Sequence, residues 1–305
     1  MSEPIGFESA AHVVAPGLSA GLAREAAPRR TVPHVPRSGK VFLIGAGPGD
    51  PELLTLKAAR LLAQADAIVF DHLVGNGILE MANPAACRVY VGKEAGNHSL
   101  PQDQINRLLV ELAAEGLTVV RLKGGDPFIF GRGGEEAEEL LACGIDCEVV
   151  PGITAASGIS AYTGIPLTHR DHARSVVFTT GHLKDGTVNL DWPALARPAQ
   201  TVVIYMGLSA LDIICRELIA HGLPGTTPGA VVHAGTTPRQ VIVTAPIAQL
   251  ADKVSAAGMK SPALIMVGPV VSLHALLGPR EPDRAAVPHE ACEALALNRL
   301  CATEL

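Results

Sequence analysis

The side chains best able to do chemistry crowd into one stretch, VRLKGGDPFIFGRGGEE, from Val120 to Glu136. Gly124 and Gly125 follow a strand-like run and allow a tight turn. That turn leaves main-chain groups and the Asp126 carboxylate facing the crevice where α/β sheets bind ligands. Such a set suits a ligand carrying an amine or a sulfonium. Arg132, set between glycines with no local partner in view, offers a cation. Gly133 and Gly134 then open a helix whose first turn holds Glu135 and Glu136, where negative charge complements the helix dipole. Glu135 serves either that end or a site; Glu136 reads mainly as a dipole partner.

Two further segments share this small-residue character. In VFLIGAGPGDPELLT a glycine-rich turn links a strand to a helix, and Asp71 ends the next strand, as in a dinucleotide-binding unit. The match fails at Asp50, which stands where the third glycine would be and would repel a pyrophosphate at the helix mouth. Asp50 instead suits an N-cap for a helix starting at Pro51. Three glycines and a proline in one turn still imply close approach by a ligand or another backbone. In VVPGITAASGISAYTGIPLTHRD, small residues run through Thr154 and Ala155 before the charged group His169, Arg170 and Asp171. Small side chains there admit a ligand or a packed helix.

These segments need a scaffold, and the periodicity supplies an α/β one. VFLIGAG, AIVFD, RVYVG, TVVRLKG and CEVVPG read as short buried strands separated by amphipathic helices, which predicts a largely parallel sheet covered on both faces. After THRD the alternation restarts with SVVFTTG, TVVIYMG, GAVVHAG, RQVIVTA and ALIMVGPVV, and VVHAGTTPRQVIV places two strands either side of a turn. At 305 residues and net charge −6, the chain is long enough for two domains, and global charge draws it to neither nucleic acid nor anionic membrane. The six cysteines are scattered, with no CxxC pair and no His/Cys cluster at zinc spacing, which implies reduced thiols and no metal. No 18-residue apolar run and no signal peptide is apparent, so the cytoplasm is expected.

The segments GAGPGDPELLT, VFDHLV, VGKEAG, RLKGGDPFIFGRGGEE, PGITAASGISAYTGIPLTHRD, VIYMG and GTTPRQ, in this order, make the chain resemble the tetrapyrrole methylase family over about residues 40–278. The resemblance implies two α/β domains, with S-adenosylmethionine bound in the cleft between them, and a homodimer. The expected division is a flexible tail at 1–38, an N-terminal domain at 39–160, a C-terminal domain at 161–279 and a tail at 280–305. Carried over by motif, cofactor contacts fall on Pro48, Gly124, Gly125, Asp126, Ile129, Thr154, Ala155, Met206 and Gly235. Acid/base candidates fall on Asp71 and Lys93, with Arg132 and Glu135 beside them, while His169 and Arg170 face a substrate rich in carboxylates.

The implied reaction is C-methylation of uroporphyrinogen III. Two successive transfers give precorrin-2 and release S-adenosylhomocysteine, with no metal required. Precorrin-2 stands at the branch toward sirohaem, cobalamin or haem d1. A methylase acting on a later corrin intermediate and a non-catalytic tetrapyrrole-binding protein are the alternatives. About 40 residues ahead of the motifs are too few for a further catalytic domain, so a stand-alone enzyme is expected.

Overall fold

The computed structural model describes residues 39–92, 100–181 and 188–279. The two tails and Lys93 lie outside the described residues. The first sheet contains β1 (Lys40–Gly45), β2 (Ala67–Phe70), β3 (Cys87–Tyr90), β4 (Thr118–Lys123) and β5 (Asp146–Val150), in the order β3-β2-β4-β1-β5. All of its pairings are parallel. Alternate residues of β1 face opposite ways, as strand geometry requires. Phe42 and Ile44 pack with α1 (Leu56–Leu62) and α2 (Asn76–Leu79), whereas Val41 and Leu43 pack with α3 (Gln102–Ala114) and α4 (Gly133–Ala142).

That arrangement places the helices on opposite faces of the sheet. The helix following β1 covers one face of the sheet and the helix following β4 covers the other. The neighbouring strands β1 and β4 therefore form a topological switch point, beyond whose carboxyl ends α/β sheets bind their ligands. Both glycine-rich loops leave the sheet there.

Helix α5 (Ala155–Thr163) follows β5 and leads to the second sheet. This sheet comprises β6 (Ser175–Thr180), β7 (Gln200–Tyr205), β8 (Pro228–His233), β9 (Val241–Pro246) and β10 (Ala263–Val267), in the order β6-β7-β10-β8-β9. Only β6 and β7 run parallel; the other pairs, including the β8–β9 hairpin, are antiparallel. One face is covered by α6 (Trp192–Leu195), α7 (Leu211–Ala220) and α8 (Ile247–Ala256). The opposite face, with Val203, Val232 and Leu264, takes Ala156 and Ile159 of α5. The short α9 (His274–Leu277) ends the described chain. No helix among the described residues is long and apolar enough to cross a membrane.

The first glycine loop is built differently from the single helix start that the sequence suggests. Asp50 caps only a short 3-10 turn, Pro51–Leu53, accepting the Glu52 N–H at 2.8 Å. The α-helix begins at Leu56 behind a second cap, Thr55, whose hydroxyl accepts the Ala58 N–H at 3.2 Å. Two caps in succession let the chain bend between the turn and the helix.

Candidate functional site

The glycines after β1 and β4 meet each other at the switch point. Gly47 donates its N–H to the Gly125 carbonyl at 3.1 Å, and Gly125 returns the bond to Gly47 at 2.7 Å. Gly125 has φ +67, a conformation glycine adopts without strain. The loop after β5 is drawn in as well: Asp126 accepts the Gly152 N–H at 3.0 Å on one oxygen and the Phe128 N–H at 2.8 Å on the other. Asp126 is thus a brace between two loops as well as a carboxylate at the crevice. Gly124 backs onto Leu73, two residues beyond Asp71, closely enough that a Cβ there would come within 2.6 Å of the leucine side chain.

The second sheet supplies the facing wall. Tyr205, the last residue of β7, lies between Thr154, whose hydroxyl is 2.6 Å away, and the Phe130 ring, 4.8 Å between centroids. Its oxygen also accepts the Ala156 N–H at 3.1 Å. Burial pushes the Tyr205 phenol above its ordinary range, which keeps it a neutral hydroxyl. Met206 follows with its side chain exposed. From the β8–β9 turn, Thr236 accepts the Asp50 N–H at 3.2 Å. Tyr162 of α5 donates to the Asp50 carboxylate, which holds that group below the usual carboxylate range. Pro48 lies against Gly158 of α5, and Gly235 against Ile159.

Backbone strain gathers in the same loops. Six non-glycine residues among those described have positive φ: Phe130, Arg132, Ala199, Met206, Ala234 and Thr236. All but Ala199 belong to the loops that border this cleft. Left-handed conformations at such residues cost free energy and persist where surrounding structure enforces them, characteristically at ligand sites.

The polar end of the site lies along β2 and the start of α4. Asp71 follows β2 and accepts the Leu73 N–H at 3.0 Å on Oδ1, while Arg121 of β4 reaches Oδ2 at 3.3 Å. Arg132 does have a local partner, contrary to its isolated look in the sequence. It forms a two-point pair with Glu135, Nε to Oε1 at 2.9 Å and Nη2 to Oε2 at 2.6 Å, with both side chains about half exposed. A recess of about 460 Å³ over the first turn of α4 is lined by Phe128, Arg132, Glu135 and Glu138.

The structure therefore brings Pro48, Gly124, Gly125, Asp126, Thr154, Ala155, Met206 and Gly235 into loops that touch one another. Ile129, half-buried, rides on the same loop as Asp126, between Phe128 and Phe130. His169 and Arg170 are not drawn into this set by any hydrogen bond or ion pair among the described residues. They occupy a tight turn between α5 and β6, where His169 and Ala173 exchange backbone hydrogen bonds at 2.8 and 2.9 Å. No cluster of His, Cys, Asp or Glu side chains suited to a metal occurs among the described residues.

Two participants escape a reading of the sequence. Tyr205 ends an apolar strand directly before the IYMG methionine, and a polar-tipped aromatic at a strand end was the available signal. Glu136 is not a solvated dipole partner: it is fully buried and bonded to Arg121 and Lys123. Two cations at alternate positions of TVVRLK, on one face of a buried strand, call for such a counter-charge.

Known proteins match this architecture. Residues 40–251 fit the family model described as Tetrapyrrole (Corrin/Porphyrin) Methylases. A siroheme synthase from Nitrosospira multiformis is 57% identical over 248 residues, 81% of this chain and 52% of the relative. The chain spans about half the length of that relative. The native form of a uroporphyrin III C-methyl transferase from Thermus thermophilus superposes with a TM-score of 0.67 at 42% identity, covering 77% of this chain and 100% of that one. A Thermus thermophilus structure of the same description, complexed with S-adenyl homocysteine, gives 0.66 at 41% identity, over 76% of this chain and 93% of the other.

Proposed function

Since the chain belongs to the tetrapyrrole (corrin/porphyrin) methylase family, we propose that it is an S-adenosylmethionine-dependent methyltransferase acting on uroporphyrinogen III. Two successive transfers to carbon give precorrin-2 and two molecules of S-adenosylhomocysteine, feeding sirohaem, cobalamin or haem d1 synthesis. The observation that carries this reading is the likeness, at 41% identity over 93% of that chain, to a methyl transferase structure that holds S-adenyl homocysteine.

S-adenosylmethionine, when bound, supplies a methyl group on a sulfonium that departs as a neutral thioether. The residues of the cleft fit such a molecule. Among the described residues each oxygen of Asp126 takes one backbone N–H, which leaves lone pairs for an ammonium. Ile129 and the exposed Met206 offer apolar surface for a purine, and the glycines at 124 and 125 let it approach main chain. Pro48, Thr154, Ala155 and Gly235 complete the proposed cofactor contacts.

The chain's own work is to orient two partners for an in-line displacement and to take up the proton released as the macrocycle's electrons reorganise. Asp71 and Glu135 are the proposed proton acceptors, together with Lys93. Arg132, His169 and Arg170 are the proposed partners for substrate carboxylates, which lets an acidic chain hold a polyanion by local charge. A homodimer in the cytoplasm is the proposed setting.

Calorimetry and turnover test the proposal together. S-adenosylhomocysteine should bind and NAD should not, and labelled methyl from S-adenosylmethionine should enter uroporphyrinogen III under reducing, anaerobic conditions. Cofactor binding with transfer only to a later corrin intermediate would replace the substrate. NAD binding without S-adenosylhomocysteine binding would overturn the reading entirely.

A further inference from the structure

Strand β4 carries Arg121 and Lys123 on one face, and their side chains are only 4% and 5% exposed. Alternate strand residues share a face, so both point with Val119 toward α3 and α4. Their counter-charge is Glu136 in the first turn of α4, wholly buried. Glu136 Oε1 accepts from Arg121 Nε at 3.1 Å, Lys123 Nζ at 2.9 Å and Gln102 Nε2 at 3.1 Å. Its Oε2 has no hydrogen-bond partner among the described residues. The far edge of the Arg121 guanidinium reaches Asp71, and its Nη1 donates to the Leu122 carbonyl at 3.0 Å.

Stability alone does not explain this cluster. Burying charges costs desolvation that their attraction often fails to repay, and an apolar filling of the same space would serve the core as well. Nor does α4 need Glu136 for its dipole, because Glu135 already stands in the first turn at the surface. The cluster does one thing an apolar filling could not. It leads from the interior to Asp71, just beyond β2, whose side chain is 22% exposed and is the one charged member open to solvent. Burial lowers the Lys123 pKa, and it is Arg121 whose guanidinium hydrogen-bonds both carboxylates, Glu136 and Asp71.

We propose that Glu136 and Arg121 are positioning residues for methyl transfer: Glu136 fixes the guanidinium of Arg121, and Arg121 fixes the Asp71 carboxylate at the carboxyl end of β2. The inference rests on Asp71 being a proton acceptor in the proposed reaction. Neither positioning residue touches substrate; each acts through the next. With Oδ1 tied to its own loop and Oδ2 to Arg121, the Asp71 carboxylate is held in a single orientation at the carboxyl end of β2.

A double-mutant series decides it. Turnover and S-adenosylhomocysteine affinity would be measured for Asp71→Asn, Glu136→Gln and Arg121→Lys, and for each of the latter two combined with Asp71→Asn. Glu136→Gln and Arg121→Lys should each slow turnover by about tenfold to a hundredfold, the scale of a misplaced catalytic group. Cofactor affinity should stay within about twofold, and neither change should slow the Asp71→Asn enzyme further, because coupled residues are non-additive. If Glu136→Gln melts below the assay temperature, Arg121→Lys, which keeps the buried positive charge, carries the test. Full turnover by folded single variants, or losses that multiply in the doubles, would overturn the inference. Full turnover by Asp71→Asn alone would instead remove the catalytic reading of Asp71, and this inference with it.

Discussion

The hydroxyl of Tyr205, at the end of β7, lies 2.6 Å from that of Thr154, the residue ahead of α5. Thr154 holds the N-cap position yet caps nothing with its own side chain. The free N–H of Ala156 in the first turn is met by Tyr205 from the second sheet instead. One oxygen therefore caps a helix, holds a threonine and borders the cleft. Tyr205→Phe should lower stability by about 1–3 kcal/mol, the cost of a buried donor left unsatisfied. It should also weaken S-adenosylhomocysteine binding, because the loop at 154–155 loses its anchor. Thermal unfolding and calorimetry on the same preparation check both effects; unchanged affinity in a destabilised protein would confine Tyr205 to folding.

Asp126 and Arg132, six residues apart on one loop, should separate cofactor from substrate. Asp126→Ala removes a loop brace and a proposed ammonium partner, so S-adenosylhomocysteine affinity should fall by about tenfold or more. Arg132→Ala breaks a half-exposed pair whose contribution to stability is small. It should leave cofactor affinity nearly unchanged while raising KM for uroporphyrinogen III or slowing turnover by about tenfold. Equal losses of cofactor affinity in both variants would put Arg132 on the cofactor side.

On β5, Glu148 sits between Lys57 at 2.5 Å and Lys40 at 2.9 Å. The Lys57 ammonium, then that of Lys40, holds its carboxyl down to about 2 against an ordinary 4.5. A depressed carboxylate stabilises the fold above its unfolded value and loses that advantage as pH falls through the folded one. The melting temperature of the parent should therefore exceed that of Glu148→Gln near neutrality. The gap should close between about pH 4.5 and about pH 2, and it should shrink in high salt because the group is at the surface. A gap independent of pH would assign the effect to packing. Activity should not change.

How far the sequence reveals such features depends on how local their causes are. The strands of both sheets and the β8–β9 hairpin were legible because short apolar runs between turn residues have few other uses. The glycine loops were legible as places of close approach. What they approach was not, because Gly47 and Gly125 are each other's neighbours only once β1 and β4 lie side by side. Glu136 was misread for the same reason: beside Glu135 it looks like one of a pair at a helix start, and its burial is decided by cations on another element. Asp50 was half legible, since its capping role is local while its bonds with Tyr162 and Thr236 depend on α5 and on the β8–β9 turn.

The crowding of Gly45, Gly125 and Gly152 bears on how such a protein can diversify. A Cβ on Gly45 would lie 2.5 Å from the Gly152 nitrogen and 2.6 Å from the Gly125 oxygen, and one on Gly152 would lie 2.3 Å from that same oxygen. None of these obstacles is a side chain that can swing aside, so no single replacement at either position is relieved by a second one nearby. The half of the site proposed for the cofactor is consequently locked as a block of main chain, inherited whole or lost. The Arg132–Glu135 end, made of exposed side chains around an open recess, carries no such interlock. On the proposed reading, macrocycle preference can change there one substitution at a time while the methyl donor stays the same.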